Sequence, residues 1–362
     1  MALDRIILSD FRNHVQSRLD GAARFNLLVG ENGAGKTNIL EAISLLAPGR
    51  GLRRAALPDM ARSGGSGGFT VGASLTHADG GDAIQLGTAI DPTRPGRRRV
   101  RINGAEASAV ALGEWLAVSW LTPAMDGIFM GPASDRRRFV DRMALALDPD
   151  HARNATRYEA ALRERNRLMA DEREPEPAWL DGVEIQLARH GSALARGRTR
   201  LVEALCAALA DHPAEPFARP HLVLESGSPG EEASLLDALQ ASRRQDRRAG
   251  RTLVGPHRDD LAVTMAGKQV PAAACSTGEQ KAMLIAITLA HGALAAKGRP
   301  GVLLLDEVAA HLDPVRREVL FDRLRATGTQ VWMTGTEIAP FSAIEQEAAV
   351  WHVSGGELVT SL

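Results

Sequence analysis

Gly30-Glu31-Asn32-Gly33-Ala34-Gly35-Lys36-Thr37 decides the fold. It fits G-x-x-x-x-G-K-[ST], with the apolar run Phe25-Asn-Leu-Leu-Val29 before it and a helical pattern, Thr37–Leu46, behind it. A glycine-rich loop of this kind turns successive backbone N–H groups around phosphates. Its lysine reaches the β/γ oxygens and its terminal hydroxyl ligates Mg²⁺. A strand before and a helix after are the context that separates a phosphate cradle from a plain glycine turn. Lysine is scarce in this chain: Lys36, Lys268, Lys281 and Lys297 stand among 43 basic residues. One of the four falls in this loop.

Gly301-Val-Leu-Leu-Leu-Asp306-Glu307 supplies the second half of a nucleotide site. Four apolar residues make a buried strand, and Asp306 at its end can hold the metal through water. Glu307 follows, where it can orient or deprotonate an attacking water. A GTPase is excluded, because its guanine-reading N-K-x-D needs Asn before Lys and none of the four lysines has one. Upstream of Asp306, Ser276-Thr277-Gly278-Glu279-Gln280 opens an apolar helix. A hydroxyl and a glycine at a helix N-terminus form an anion site, although the same residues make an ordinary N-cap. Their spacing to Asp306 favours the anion site.

The chain has 362 residues, 43 basic and 44 acidic, with 44% hydrophobic and 4% aromatic content. That length suggests two domains, and the apolar content is enough for a folded core. Cys206 and Cys275 can form neither a disulfide framework nor a zinc cluster. The charged start MALDRIILSDFRNH lacks the apolar core of a signal peptide. The longest apolar stretch, Ala282–Ala296, is broken by His291 and too short to span a bilayer. These features predict a cytoplasmic protein without a membrane partner.

Strand patterns at Arg5–Leu8, Phe69–Leu75, Ala83–Ile90 and Arg97–Asn103 predict an antiparallel sheet, with Ser63–Gly68 a flexible loop. From Ser134 to about Gln245 strand signals vanish. Asp150–Glu172 and Trp179–Asp211 read there as long helices, and Val183, Leu187, Leu194, Leu201 and Leu205 share a stripe. That stripe suits either a short antiparallel arm or an ordinary helical subdomain. After Gly250 α/β patterning returns, with strands at Val302–Leu305 and Gln330–Met333. The expected division is 1–130 with 251–362 as one discontinuous head, and 131–250 as a helical lobe.

This constellation resembles the ABC-type ATPase head of transporters, SMC proteins and related DNA repair ATPases. More closely, the chain resembles the bacterial RecF recombination family along nearly its full length. The matching stretches are Asp10-Phe-Arg-Asn13, the loop Gly30–Thr37 with Asn38-Ile-Leu-Glu-Ala42, and Gly49-Arg50 with Arg53. They continue through Thr122-Pro123, Gly131-Pro132, Arg136-Arg137-Arg138-Phe-Val-Asp141, Gly255-Pro-His-Arg-Asp-Asp-Leu261, Ser276–Lys281 and Leu305–Asp313. The resemblance implies an α/β fold: an ABC-type P-loop ATPase head with an antiparallel β subdomain, interrupted by a helical lobe with a short arm. It implies an ATP-dependent homodimer that binds double-stranded or gapped DNA. With RecR and RecO it would help load RecA recombinase in replication-linked repair and the SOS response. ATP with Mg²⁺ would be held by Gly30–Thr37 and Asp306, and its weak hydrolysis, stimulated by DNA, would use Glu307 as a switch. Ser276, Thr277, Gly278 and Glu279 of one subunit would close on the γ-phosphate bound by the other, and Asp313 would line the seam.

Two features depart from the transporter pattern. Thr122-Pro-Ala-Met-Asp126 stands where a Q-loop glutamine is expected, and Gln330–Met333 leads into Thr334-Gly-Thr336 instead of a switch histidine. Both predict slow turnover. They also disfavour a transporter's ATP-binding subunit, while an SMC-like structural ATPase would need far longer heptad arms. For DNA, the basic run holding Arg94, Arg97, Arg98, Arg99 and Arg101 is the leading candidate, either as a phosphate-contacting hairpin or as a charged edge. Arg97, Arg99 and Arg101 share one strand face while Val100 and Ile102 face the core. Arg136–Arg138 and the run of Arg243, Arg244, Arg247, Arg248 and Arg251 rank behind it. With few aromatics to stack on bases, duplex backbone recognition is the expected mode.

Overall fold

Phe25–Val29 (β3) is apolar at four of five positions and buried at all five, as a strand covered on both faces must be. A computed structural model of the chain describes residues 2–76, 81–210, 217–296, 298–309 and 312–360. The central sheet also holds Ala117–Leu121 (β8), Gly301–Leu305 (β12), Gln330–Gly335 (β13), Ala348–Ser354 (β14) and Glu357–Thr360 (β15). Its order is β15-β14-β3-β13-β12-β8, all parallel apart from the antiparallel β14–β15 hairpin.

A second, antiparallel sheet has the order β2-β1-β4-β5-β6-β7. Its strands are Ala2–Phe11 (β1), His14–Leu19 (β2), Phe69–Thr76 (β4), Ile84–Ile90 (β5), Arg98–Ile102 (β6) and Ala105–Ala107 (β7). The β6–β7 turn is Asn103-Gly104, both at positive φ (50° and 81°), as a two-residue hairpin turn demands. The P-loop helix Lys36–Ser44 (α1) contacts both β1 and β13. One core joins Leu3, Ile6 and Val71 of the antiparallel sheet, Ile39 and Ile43 of α1, and Trp332 and Trp351 of the central sheet. The two tryptophans stack with ring centroids 5.3 Å apart.

The chain divides into two compact units, one of Met1–Asp126, Glu215–Phe217 and Leu284–Leu362, the other of Gly127–Ala214 and Ala218–Met283. The first also contains Leu112–Trp115 (α2) and Pro314–Ala326 (α8). The second is built on Ala133–Leu147 (α3), Asp150–Ala170 (α4), Pro177–Ala210 (α5) and Glu232–Ala249 (α6). Thr277–Ala295 (α7) begins in the second unit and ends in the first. Helices α4 and α5 run antiparallel, with Leu187, Leu194, Leu201 and Leu205 buried and Val183 partly so. Pro177 opens α5 at the position where its missing N–H costs nothing. Asp211, the expected end of that helix, lies outside the described residues.

Two differences from the sequence reading have one cause. The stretch read as strand-free contains Pro220–Glu225 (β9), which pairs with Asp260–Met265 (β10) in a three-stranded sheet completed by Val270–Pro271 (β11). Pro220 reads as punctuation but sits at the first residue of the strand, where proline is tolerated. The β9–β10 pairing also draws 251–283 into the second unit, although the sequence reading groups these residues with the head.

Candidate functional site

The P-loop is wrapped by the start of the chain. Asn13 Nδ2 donates to the Ala34 carbonyl at 3.0 Å, and Asn38 Nδ2 donates to Asn13 Oδ1 at 2.7 Å. Buried His14 lies 3.2 Å from the Gly35 carbonyl through Nε2 and 2.8 Å from Ser17 Oγ through Nδ1. Burial pushes its pKa down, which keeps the imidazole neutral near pH 7. Gly35 has φ +116°, and a Cβ there would come within 2.8 Å of the Asn13 and His14 side chains. At Gly30 a Cβ would meet the Val353 carbonyl oxygen at 2.1 Å. Neither position admits a side chain.

Inside this frame the polar groups converge. Lys36 Nζ donates to the Gly30 and Glu31 carbonyls at 2.5 and 2.8 Å. Burial lowers its pKa, while the nearby carboxylates of Glu307 and Asp306 oppose that shift. Thr37 Oγ1 donates to Asp306 Oδ1 at 2.9 Å. The same oxygen accepts from Thr334 Oγ1 at 2.8 Å, and Thr334 Oγ1 in turn accepts the Glu307 N–H at 2.9 Å. Glu307 sits at φ +53°, a left-handed conformation that costs a non-glycine residue about 1 kcal/mol or more. The P-loop and the Asp-Glu pair are thus brought together as the sequence predicts. Thr334, buried at the end of β13, was not anticipated as a participant. Its residue type carries no signal, and only the β13–β12 pairing sets it beside Asp306.

Beside the P-loop lies a cleft of about 570 Å³ lined by Arg12, Asn13, Asn38, Arg53, Arg62 and Ser63, among others. Fully buried Glu41 organises it by accepting two hydrogen bonds of 2.8 Å from Arg12 and one of 3.0 Å from Arg53. Arg53 also donates to Asn38 Oδ1 at 2.7 Å.

Ser276 and Glu279 form a capping box at the start of α7. The Ser276 N–H and hydroxyl each donate to Glu279 Oε2 at 2.9 Å, and the Glu279 N–H returns to Ser276 Oγ at 3.3 Å. Lys268 and Ser276 hold the Glu279 pKa down at about 2. Thr277 and Gly278 occupy the first turn. Asp313 caps α8, accepting from the Arg316 N–H at 2.9 Å. His311, two residues before it, lies outside the described residues.

Among the basic runs the structure corrects one candidate. Arg97 and Arg101 are exposed and Arg99 half-buried, but Arg98 turns inward beneath the sheet. It donates to Thr88 Oγ1 and to carbonyls beyond α1, so it is withdrawn from the surface set. Period-2 alternation that turns Arg97, Arg99 and Arg101 outward necessarily sends Arg98 the other way. Arg99 also meets Glu106 at 3.2 Å. Arg136 is fixed by Asp260, Arg137 by the Asp259 carbonyl and Arg138 by Asp135. Arg243 is bound to Glu184 and Asp181.

The family described as RecF/RecN/SMC N terminal domain matches residues 2–357. "DNA replication and repair protein RecF" of Rhizobium leguminosarum bv. trifolii is 45% identical over 99% of this chain and 98% of its own length. The protein of the same name from Mesorhizobium japonicum is 46% identical, covering 98% and 96%. A solved structure of "the recombination mediator protein RecF-ATP in RecFOR pathway" superposes with TM-score 0.85 at 24% identity, covering 100% of this chain and 98% of that one. An SMC head bound to the C-terminal winged-helix domain of ScpA shares the fold at TM-score 0.56 and 17% identity, covering 99% and 98%. Among the described residues, no helix is long and apolar enough to cross a membrane.

Proposed function

Because this chain belongs to the RecF family of DNA replication and repair proteins, we propose that it is an ATP-binding recombination mediator of the RecFOR pathway. It dimerises on ATP, binds duplex or gapped DNA in the cytoplasm and, with RecR and RecO, helps load RecA. The observation that carries this reading is the convergence of Lys36, Thr37, Asp306, Glu307 and Thr334 at the mouth of the P-loop.

Lys36 exchanges its loop carbonyls for the β/γ-phosphate oxygens, while the N-terminus of α1 supplies N–H groups and the positive end of its dipole. Thr37 Oγ1 and Asp306 Oδ1, already 2.9 Å apart, fit a small hard cation that keeps most of its waters. Mg²⁺ bound there would offset phosphate charge. Glu307 orients and deprotonates the attacking water. Thr334 takes the place of the missing switch histidine, tying the Asp306 carboxylate to the Glu307 backbone through one hydroxyl. The nucleoside end lies in the cleft beside Arg12, Asn13 and Ser63.

The site is completed in trans. Ser276, Thr277 and Gly278 at the N-terminus of α7 meet the γ-phosphate held by a second copy, with Glu279 fixing the Ser276 rotamer and Asp313 at the seam. ATP therefore acts as the bond between subunits, and hydrolysis releases it. The exposed arginines of the β5–β6 hairpin add salt-dependent, sequence-independent contacts to DNA phosphates. A transporter subunit is disfavoured by full-length similarity to RecF proteins.

Sedimentation tests the reading. Glu307→Gln should persist as a dimer in ATP and Mg²⁺ with its nucleotide unhydrolysed. Ser276→Arg should bind ATP and stay monomeric. A Ser276→Arg dimer that still turns over ATP would remove the trans-acting role.

A further inference from the structure

We propose that Arg98 is the positioning residue that couples the basic hairpin to the nucleotide-binding helix, so that occupancy of one changes the affinity of the other. The inference rests on reading the P-loop as the ATP site and the β5–β6 hairpin as a DNA contact. It adds the physical link between them.

Arg98, between exposed Arg97 and half-buried Arg99, is the one residue of that run that points inward, on a strand held between β5 and β7. Its Nε donates to buried Thr88 Oγ1 at 2.8 Å. Its Nη1 donates to the Gly49 carbonyl at 2.8 Å. Its Nη2 reaches the carbonyls of Leu45 and, at 3.4 Å, Ala47. Leu45 is the C-cap of α1, at the negative end of its dipole, and Ala47 and Gly49 lie in the segment that follows. Burial lowers the Arg98 pKa to about 10, and its hydrogen-bond partners are hydroxyl and carbonyl oxygens rather than carboxylates. A guanidinium held by one hydroxyl and backbone carbonyls depends on their placement, because a moved carbonyl leaves a half-buried charge less satisfied.

The contacts continue to the phosphate cradle. Gly49 opens the loop that carries Arg53, Arg53 donates to Asn38 Oδ1 at 2.7 Å, and Asn38 donates to Asn13 at 2.7 Å. Asn13 then holds the Ala34 carbonyl of the P-loop at 3.0 Å. Arg99 and Arg101 lie on the opposite face of β6, and exposed Arg97 immediately precedes the strand. A phosphate backbone engaging those three pulls on the strand whose next residue grips the end of α1. Spatial continuity alone does not establish coupling, so the test must read the coupling itself.

The measurement is the affinity for a non-hydrolysable ATP analogue with and without a short DNA duplex, in the parent, Arg98→Gln, Arg98→Lys and Thr88→Val. Linkage requires the same ratio in the reverse experiment. The parent ratio should be at least about five-fold. Arg98→Gln should bring it below about two-fold while each separate affinity stays within about three-fold of the parent. Arg98→Lys, which keeps the charge but not the fork, should recover part of the ratio, and Thr88→Val should lose part of it without loss of volume. A role confined to stability would lower the melting temperature and leave the ratio intact, which overturns the proposal; so does a parent ratio near one. Arg97→Ser/Arg99→Ser/Arg101→Ser binding DNA as the parent does would sink the hairpin reading and the coupling with it. Lost DNA binding in that variant together with parent-like coupling in Arg98→Gln would sink the coupling alone.

Discussion

Lys36 and Arg165 are both buried cations, and the difference between them separates the site from the scaffold. Arg165, fully buried between α4, α5 and α6, is neutralised by Glu184 at 2.9 Å and Asp246 at 2.5 Å. It also donates to Thr252 Oγ1 at 3.0 Å and the Leu239 carbonyl at 2.9 Å. Its charge is spent on holding three helices together. Lys36, 4% exposed, hydrogen-bonds two carbonyls of its own loop and feels the Asp306 and Glu307 carboxylates only through their field. Replacing those carbonyls with phosphate oxygens is an exchange that Arg165 cannot make. Full carboxylate pairing makes Arg165 part of the architecture; Lys36, held by carbonyls of the phosphate loop itself, can trade them for an anion.

The contrast breaks if the two cations respond alike to removal. Arg165→Met leaves buried Asp246 without its cation and Glu184 with Arg243 alone, and should destabilise the second unit by about 3–5 kcal/mol. Chemical denaturation should show that loss while ATP affinity stays near the parent value. Lys36→Ala should do the reverse. Loss of charge-assisted bonds to phosphate should weaken ATP binding about 10- to 100-fold by calorimetry, with the denaturation midpoint almost unmoved. An unchanged ATP affinity in Lys36→Ala would remove the site assignment.

Two smaller effects sharpen the comparison. Thr334→Val keeps shape but deprives Asp306 of a donor and the Glu307 N–H of its acceptor. Single-turnover hydrolysis should fall about ten-fold, for a change of about 1–1.5 kcal/mol, with ATP affinity little altered. The smallest effect concerns Glu279, whose pKa Lys268 and Ser276 hold at about 2 against an ordinary value of 4.5. Because the folded pKa is depressed, the stability this carboxylate gives the start of α7 is complete above pH 4.5 and lost as pH falls towards about 2. Carboxyl NMR titration should find that low midpoint, and Lys268→Ala should move it up towards 4.5.

What was legible in the sequence is what is local in the chain. The loop Gly30–Thr37 and the strand ending in Asp306-Glu307 are contiguous, so their residue types alone declare their chemistry. Thr334 is invisible in that sense: a threonine after an apolar strand means nothing until β13 pairs with β12 and sets it beside Asp306. Arg98 was half legible. Period-2 alternation turns it inward, but an arginine on a core face contradicts the usual burial preference, and only the open end of α1 explains what receives it. The hairpin β14–β15 turns on Gly355-Gly356, both at positive φ, a short-range signal carried by the two residues themselves. Strand β9 was concealed by Pro220 and by a partner, β10, far along the chain.

The central claim is that each ATP is held by the P-loop of one subunit and Ser276 of another. Mixing two inactive variants tests it most directly. Lys36→Ala lacks a working P-loop and keeps Ser276; Ser276→Arg keeps the P-loop and spoils the trans contact. Neither variant pairs with itself, so the dimers that form in an equal mixture are heterodimers with one intact composite site of two. ATP hydrolysis should therefore return, to at most about half of the parent rate, although each variant alone is silent. A mixture as inactive as its components, or Ser276→Arg active alone, would contradict the shared site.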